Sequence, residues 1–144
     1  MGGHGAQAAA QQALIEAAVE AKVKVYLNSD FGSDYDEQTW GAGDWESKKA
    51  HAANARALGL KTISIANGGF MSFTRYPFFG MVGPEWQIVE DGNSSFAVTD
   101  IPDAARYALR AIILAFQDPN SVPDRVRVYG DAKTLNEYAA VVER

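Results

Sequence analysis

What most limits this chain is the alternation of short β-branched or aromatic runs with longer stretches of helical periodicity. Val23–Leu27 (VKVYL), Thr62–Ala66 (TISIA) and Arg125–Tyr129 (RVRVY) are short and carry the side chains that suit a pleated sheet. From Gln7 to Ala21, Ala10, Leu14, Ile15, Ala18 and Val19 form one apolar stripe, with Gln11, Gln12, Glu16 and Glu20 off it. A second helix is expected from an Asp44 cap to about Leu58, closed by Gly59. A third begins at Asp100, with Pro102 just behind it, and places Ala105, Ala108, Leu109, Ile112 and Phe116 on its stripe until Pro119 and Pro123 break it. Strands alternating with helices predict an α/β chain with a mostly parallel sheet and right-handed crossovers. The 144 residues, 47% of them apolar, suit one domain with a core of its own.

The segments between these elements carry the chemistry. Asn28–Gly43 reads as a long polar loop rich in Asp and Gly. Asn67–Pro84 is irregular, yet holds Phe70, Phe73, Tyr76, Phe78 and Phe79, so it must fold onto something. Trp86–Glu90 and Ser95–Thr99 flank Asp91-Gly92, the pattern of a β-hairpin. Thr134 and Glu137 form a capping box that opens a last helix.

Several function classes are excluded early. A net charge of −5 leaves no footprint for non-specific nucleic-acid binding or for anionic membranes. With no cysteine there is no disulfide, thiolate nucleophile or zinc–thiolate site. No apolar run reaches a membrane-spanning length, and no basic-then-apolar leader opens the chain, so a cytoplasmic location is expected. Gly2-Gly3-His4-Gly5 precedes a helix but follows no strand and lacks the dinucleotide-binding glycine spacing; it reads as a flexible end. Asp30-Phe31-Gly32 copies a kinase triplet without the other kinase parts. Asp30, Asp34, Asp36 and Glu37 lack EF-hand spacing and read as solvated loop acids, so no metal is expected. His4 and His51 lie far apart and suggest no triad. Lys48-Lys49, early in the second helix, read as surface residues or as a proton donor or ribose contact at the strand ends. Asn67-Gly68-Gly69-Phe70 ends the second strand, where adjacent glycines serve a turn or let backbone approach a ligand.

Taken together, these segments resemble the NmrA-like, isoflavone-reductase-like branch of the atypical short-chain dehydrogenases. Val25–Asp34 (VYLNSDFGSD) resembles that family's strand followed by P-S-x-F-G-x-D: Ser29, Phe31, Gly32 and Asp34 fit, and Asn28 replaces the proline. Gln12–Lys24 resembles the preceding helix, with Lys22 where glycine is usual. Lys48 precedes Gly59 by the spacing of the family's lysine segment. Ile65–Phe70 resembles its N-x-F loop, Thr99-Asp100-Ile101 its T-x-D-[IV] segment, and the capping-box helix its final T-x-x-E.

The resemblance implies a partial Rossmann-like three-layer sandwich over residues 1–144, a single NmrA-like domain truncated at its N-terminus, with a small hairpin and a helical substrate-side region. The glycine-motif half is missing: at about 30 residues per βαβ unit, roughly a hundred residues. It implies NADP(H) as cofactor. NAD(H) stays open because the selecting residue lies outside the chain, and binding by this portion alone lacks the pyrophosphate turn. Lys48 would be the catalytic lysine, with Lys49 as the alternative one residue on. Ser29 and Phe31 would border the nicotinamide side, and Asn67 and Gly69 would line the cleft. Phe70, Phe73, Tyr76, Phe78, Phe79 and Trp86 would wall off a small-molecule substrate, with core packing as the plainer role of most. The activity implied is reduction of a small aromatic or carbonyl-bearing molecule. The alternatives are a non-catalytic dinucleotide sensor that binds a protein partner, nuclear if regulatory, and an inactive fragment. No tyrosine stands in the Y-x-x-x-K arrangement; Trp45 stands there relative to Lys49. Val23–Leu27 would be central in the complete sheet, so here its free edge invites a protein partner or self-association.

Overall fold

The computed structural model describes residues 4–37, 43–73, 81–82, 85–88 and 90–142. Helix α1 (His4–Glu20) leads into strand β1 (Val25–Leu27), and helix α2 (Gly43–Ala57) into β2 (Lys61–Ala66). Short strands β3 (Gly69–Phe70), β4 (Met81–Val82) and β5 (Glu85–Trp86) follow, then β6 (Ser95–Thr99) and helix α3 (Ile101–Gln117). Strands β7 (Arg125–Arg127) and β8 (Asp131–Thr134) and helix α4 (Leu135–Val142) close the described chain.

The main sheet is parallel, in the order β1-β2-β7. Alternation along β2 sorts its side chains between two helical layers. Ile63 and Ile65, fully buried, pack with Ala108, Ala111 and Ala115 of α3. Thr62 and Ser64 point the other way, where Arg56 of α2 bonds Thr62. In the same layer, Ile15 and Ala18 of α1 meet Ala55 and Leu60 at the two ends of the α2–β2 turn, with Tyr26 of β1 packed against them. This is the expected α/β sandwich with a mostly parallel sheet. No helix among the described residues is long and apolar enough to cross a membrane.

Two expectations are corrected. The pairing across Asp91-Gly92 does not form, because both edges of β6 are taken: β3 pairs with it in parallel and β8 antiparallel. The turn itself exists, with Glu90 and Gly92 at positive φ, but it docks on the start of α4, where Asn136 Nδ2 donates to the Asp91 carbonyl at 2.8 Å. The small antiparallel pair is instead β4 with β5. The stripe on α3 is also rotated from its expected position. Ala104, Ala108, Ala111 and Ala115 face inward, while Leu109 and Phe116 are each 59% exposed. Alanines let the helix backbone settle close against Ile63 and Ile65, and the larger side chains are left at the flank, with Lys24 Nζ 4.6 Å over the Phe116 ring. The capping box at Thr134 forms as expected, each side chain bonding the other's amide.

Lys22 shows why its position suits glycine. It adopts φ +55° just after α1, and the bonds Lys22 N–H to Val19 O and Val23 N–H to Ala18 O complete a Schellman turn. A side chain in that conformation costs about 1 kcal/mol. Lys22→Gly should therefore raise Tm by roughly 4 °C in thermal unfolding followed by circular dichroism; an unchanged or lower Tm contradicts this reading.

Candidate functional site

A cleft of about 920 Å3 opens at the carboxyl ends of β1, β2 and β7, where open parallel sheets bind ligands. Its walls come from three loops: Phe31–Asp34 after β1, Gly68–Phe70 after β2, and Arg127–Tyr129 at the end of β7. Trp45 of α2, Phe73 and Phe96 complete it. Phe70 sits between Phe31 and Phe73, with ring centroids 6.2 and 5.6 Å away, the second edge-on. Such a wall favours a flat apolar group.

The loop after β1 is anchored from beneath by buried polar groups. Asp30 is 3% exposed, and its Oδ2 accepts bonds from the hydroxyls of Tyr35 and Ser64, both at 2.6 Å. Ser64 Oγ in turn accepts from Asn28 Nδ2 at 2.9 Å. Asp30 is thus not a solvated loop acid; it is the acceptor that three elements share. Burial, together with the Asp30 carboxyl it bonds and faces, pushes the Tyr35 phenol up to about 12 against the pull of Arg125. Tyr35 therefore keeps its proton at neutral pH and acts as a strut.

Asp34 is largely covered too, whereas Asp36 stays exposed, as expected of a loop acid, while pairing with an arginine. Arg127 Nε bonds Asp34 Oδ2, and Arg125 Nε reaches Asp36 Oδ2 at 2.6 Å while its guanidinium lies 4.0 Å over the Tyr35 ring. Burial alone would raise the Asp34 carboxyl; the Arg127 bond, the Asp36 amide and the two arginine charges outweigh it and hold it below the usual carboxylate range. Its contribution to stability is present above the ordinary carboxylate range and is lost as pH falls through the lowered value. These pairs tie the loop to β7 and leave an Asp–Arg couple on an otherwise apolar cleft. No group of three His, Asp or Glu suited to a metal occurs among the described residues.

Asn67 serves the site from behind. It is fully buried; its Oδ1 accepts from Gly32 N–H at 2.9 Å, its backbone N–H donates to Gly32 O at 3.1 Å, and its backbone carbonyl accepts from Thr99 Oγ1 at 2.6 Å. It locks the two loops together while its neighbours Ala66, Gly68 and Gly69 line the cleft. Gly68 has φ +66°, and a Cβ there would lie 2.1 Å from the Ala97 carbonyl oxygen.

The structure thus brings Phe31, Gly69, Phe70 and Phe73 to one cleft, with Asn67 beneath. Ser29 is exposed and Phe31 carries that stretch of the wall. Lys48 is half-buried on α2, one turn on from Trp45. Lys49 faces a separate, smaller cavity and pairs with Glu46 at 3.3 Å. Tyr76, Phe78 and Phe79 lie outside the described residues, and Trp86 stands on β5. Trp45, Phe96, Arg127 and Tyr129 were not singled out from the sequence as cleft residues. The end of the RVRVY strand could have revealed the last two, since ligands gather where parallel strands end.

No family model and no curated protein matches the sequence. Solved structures do match the fold. Leucoanthocyanidin reductase from Vitis vinifera in a binary complex with NADPH superposes with a TM-score of 0.75 at 20% identity, over 92% of this chain and 46% of that one. The pinoresinol–lariciresinol and phenylcoumaran benzylic ether reductases, described with their relationship to isoflavone reductases, give 0.75 at 19%, over 93% and 46%. UDP-glucuronic acid 4-epimerase from Bacillus cereus, in complex with NAD, gives 0.66 at 14%, over 92% and 49%. The chain spans about half the length of each of these proteins, and over that half it shares their fold.

Proposed function

We propose that this chain is the carboxyl-terminal portion of an NmrA-like, isoflavone-reductase-like protein, an NADP(H)-dependent reductase of a small aromatic or carbonyl-bearing molecule. The observation that carries this reading is the aromatic cleft at the parallel strand ends, in a fold shared with about half of a reductase whose structure holds NADPH. The cleft suits the nicotinamide end of such a cofactor: it is large and apolar, and Gly68 and Gly69 line it where the chain turns after β2. Phe31 would lie against the ring, with Ser29 at the border. Asn67 would hold the two loops that shape the pocket. Phe70 and Phe73, with Tyr76 and Phe79 by resemblance, would take the substrate's apolar body. The cofactor, when bound, supplies the hydride. Lys48 would hold the nicotinamide ribose and deliver a proton to the substrate.

Lys48→Ala should lower NADPH oxidation by at least about 100-fold, whereas Lys49→Ala should leave it within a few-fold. The assay belongs on the longest form of the protein in its source cells, whose intact mass is expected near twice 15.6 kDa. An inactive wild type whose partner binding survives Lys48→Ala would favour the sensor reading instead.

The 144-residue chain alone should also self-associate. β1 pairs with β2 on one side, and no described strand pairs on its other. Such an edge offers unpaired amides and carbonyls to a second chain. Light scattering at high concentration should show oligomers; a monodisperse monomer contradicts this.

A further inference from the structure

Helix α3 carries two apolar stripes, and the sheet uses one of them. Its buried residues are Ala104, Ala108, Ala111 and Ala115, and the last three pack with Ile63 and Ile65. Ala105, Leu109, Ile112 and Phe116 repeat the same helical spacing one residue on, and there Leu109 and Phe116 are exposed. The opposite flank of the helix is charged, with Asp103, Arg106 and Arg110. The second apolar stripe looks toward β1, because the Phe116 ring centre lies 4.6 Å from Nζ of Lys24, the residue just ahead of that strand. Beyond it runs the edge of β1 that no described strand pairs. Successive amides along a strand point to opposite edges. Asn28 N–H donates to Ile63 O of β2, so Tyr26 N–H points the same way, and the amides of Val25 and Leu27 point outward. An open strand edge and an exposed apolar stripe therefore adjoin.

The helical layers say what fits there. Simple crossovers between parallel strands share one hand, so helices on one face step the chain across a sheet in one direction. Helix α2 makes that step from β1 to β2. Helix α1 lies in the same layer and leads into β1, so the strand it would return from belongs on the open edge of β1. A chain stepping the other way runs its helix over the opposite face, beside α3. We propose that the β1 edge and the second stripe of α3 form one docking surface, which takes a parallel β-strand and an amphipathic helix from the amino-terminal half of the protein. The proposal rests on the reading of this chain as a carboxyl-terminal portion. The strand pairs through the Val25 and Leu27 amides, and the helix covers Leu109 and Phe116. The superposed reductases have more than half their length outside the portion this chain matches, ample for such a unit.

The test compares the 144-residue chain with the longest form of the protein from its source cells, by residue-resolved hydrogen exchange and by thermal unfolding. In the dilute chain alone, the Val25 and Leu27 amides should exchange fast while Tyr26 is protected; in the longest form all of them should be protected. Leu109→Lys should leave the Tm of the chain alone within about 1 °C, and lower that of the longest form by at least about 5 °C. Arg110→Gln, on the charged flank, should leave both unchanged. A longest form of only 15.6 kDa would overturn the carboxyl-terminal reading and the proposal with it. A longer form in which Val25 and Leu27 still exchange fast, or in which Leu109→Lys leaves the Tm unchanged, would overturn the proposal and leave that reading standing. Protection that appears only as the chain alone is concentrated would assign the surface to a second copy, and so overturn the proposal as well.

Discussion

Asp30→Ala is expected to destabilise the protein by about 3–5 kcal/mol, measured as a lower urea midpoint at unchanged m. The mutation removes the acceptor of two buried hydroxyls, those of Tyr35 and Ser64, and leaves both without a partner at 1% exposure. Each stranded donor costs about 1–3 kcal/mol. Against a total stability of about 5–15 kcal/mol, that is a large share. Asp30→Asn keeps an acceptor at the same place and should cost only about 1 kcal/mol. The loss should also reach the site, because the loop that this carboxyl anchors forms one wall of the cleft. A change under about 1 kcal/mol for Asp30→Ala would show that the loop is held elsewhere.

Gly68→Ala should cost about as much for a different reason. A Cβ at Gly68 would sit 2.1 Å from the Ala97 carbonyl oxygen and 2.6 Å from its carbon, both backbone atoms. No rotamer relieves that overlap. β6 would have to move away from the β2–β3 turn, and the residue must also hold φ +66°. Backbone displacement together with left-handed strain amounts to about 3–5 kcal/mol. Gly59→Ala separates the two contributions: Gly59 has φ +87° but open space around its Cβ position, so only the conformational cost of about 1 kcal/mol should appear. Equal losses at the two glycines in thermal unfolding would contradict the close approach.

What the sequence made legible follows from how local each signal is. The β2 strand and the Thr134 capping box depend on near neighbours, and both form as expected. The glycine turn after β2 and the Phe31 loop after β1 were legible because they sit where parallel strands end. The α3 stripe was misread because periodicity favours the largest apolar residues, while close packing on Ile65 favours Ala108 and Ala111. β8, with the sequence DAKT, has no strand pattern of its own and exists because β6 offers an edge. Asp30 was misjudged because its partner Ser64 lies 34 residues away, and nothing near Asp30 marks it as buried.

The central claim, that the cleft takes the nicotinamide end of a dinucleotide, is tested most directly by titrating the 144-residue chain with reduced nicotinamide mononucleotide. Trp45 lines the cleft and serves as the donor for energy transfer to the reduced nicotinamide. Saturable quenching is expected, lost in Trp45→Phe and weakened several-fold in Phe31→Ala, with adenosine monophosphate failing to compete. Quenching that is absent, or that adenosine monophosphate displaces, would place the dinucleotide elsewhere and contradict the assignment of this cleft.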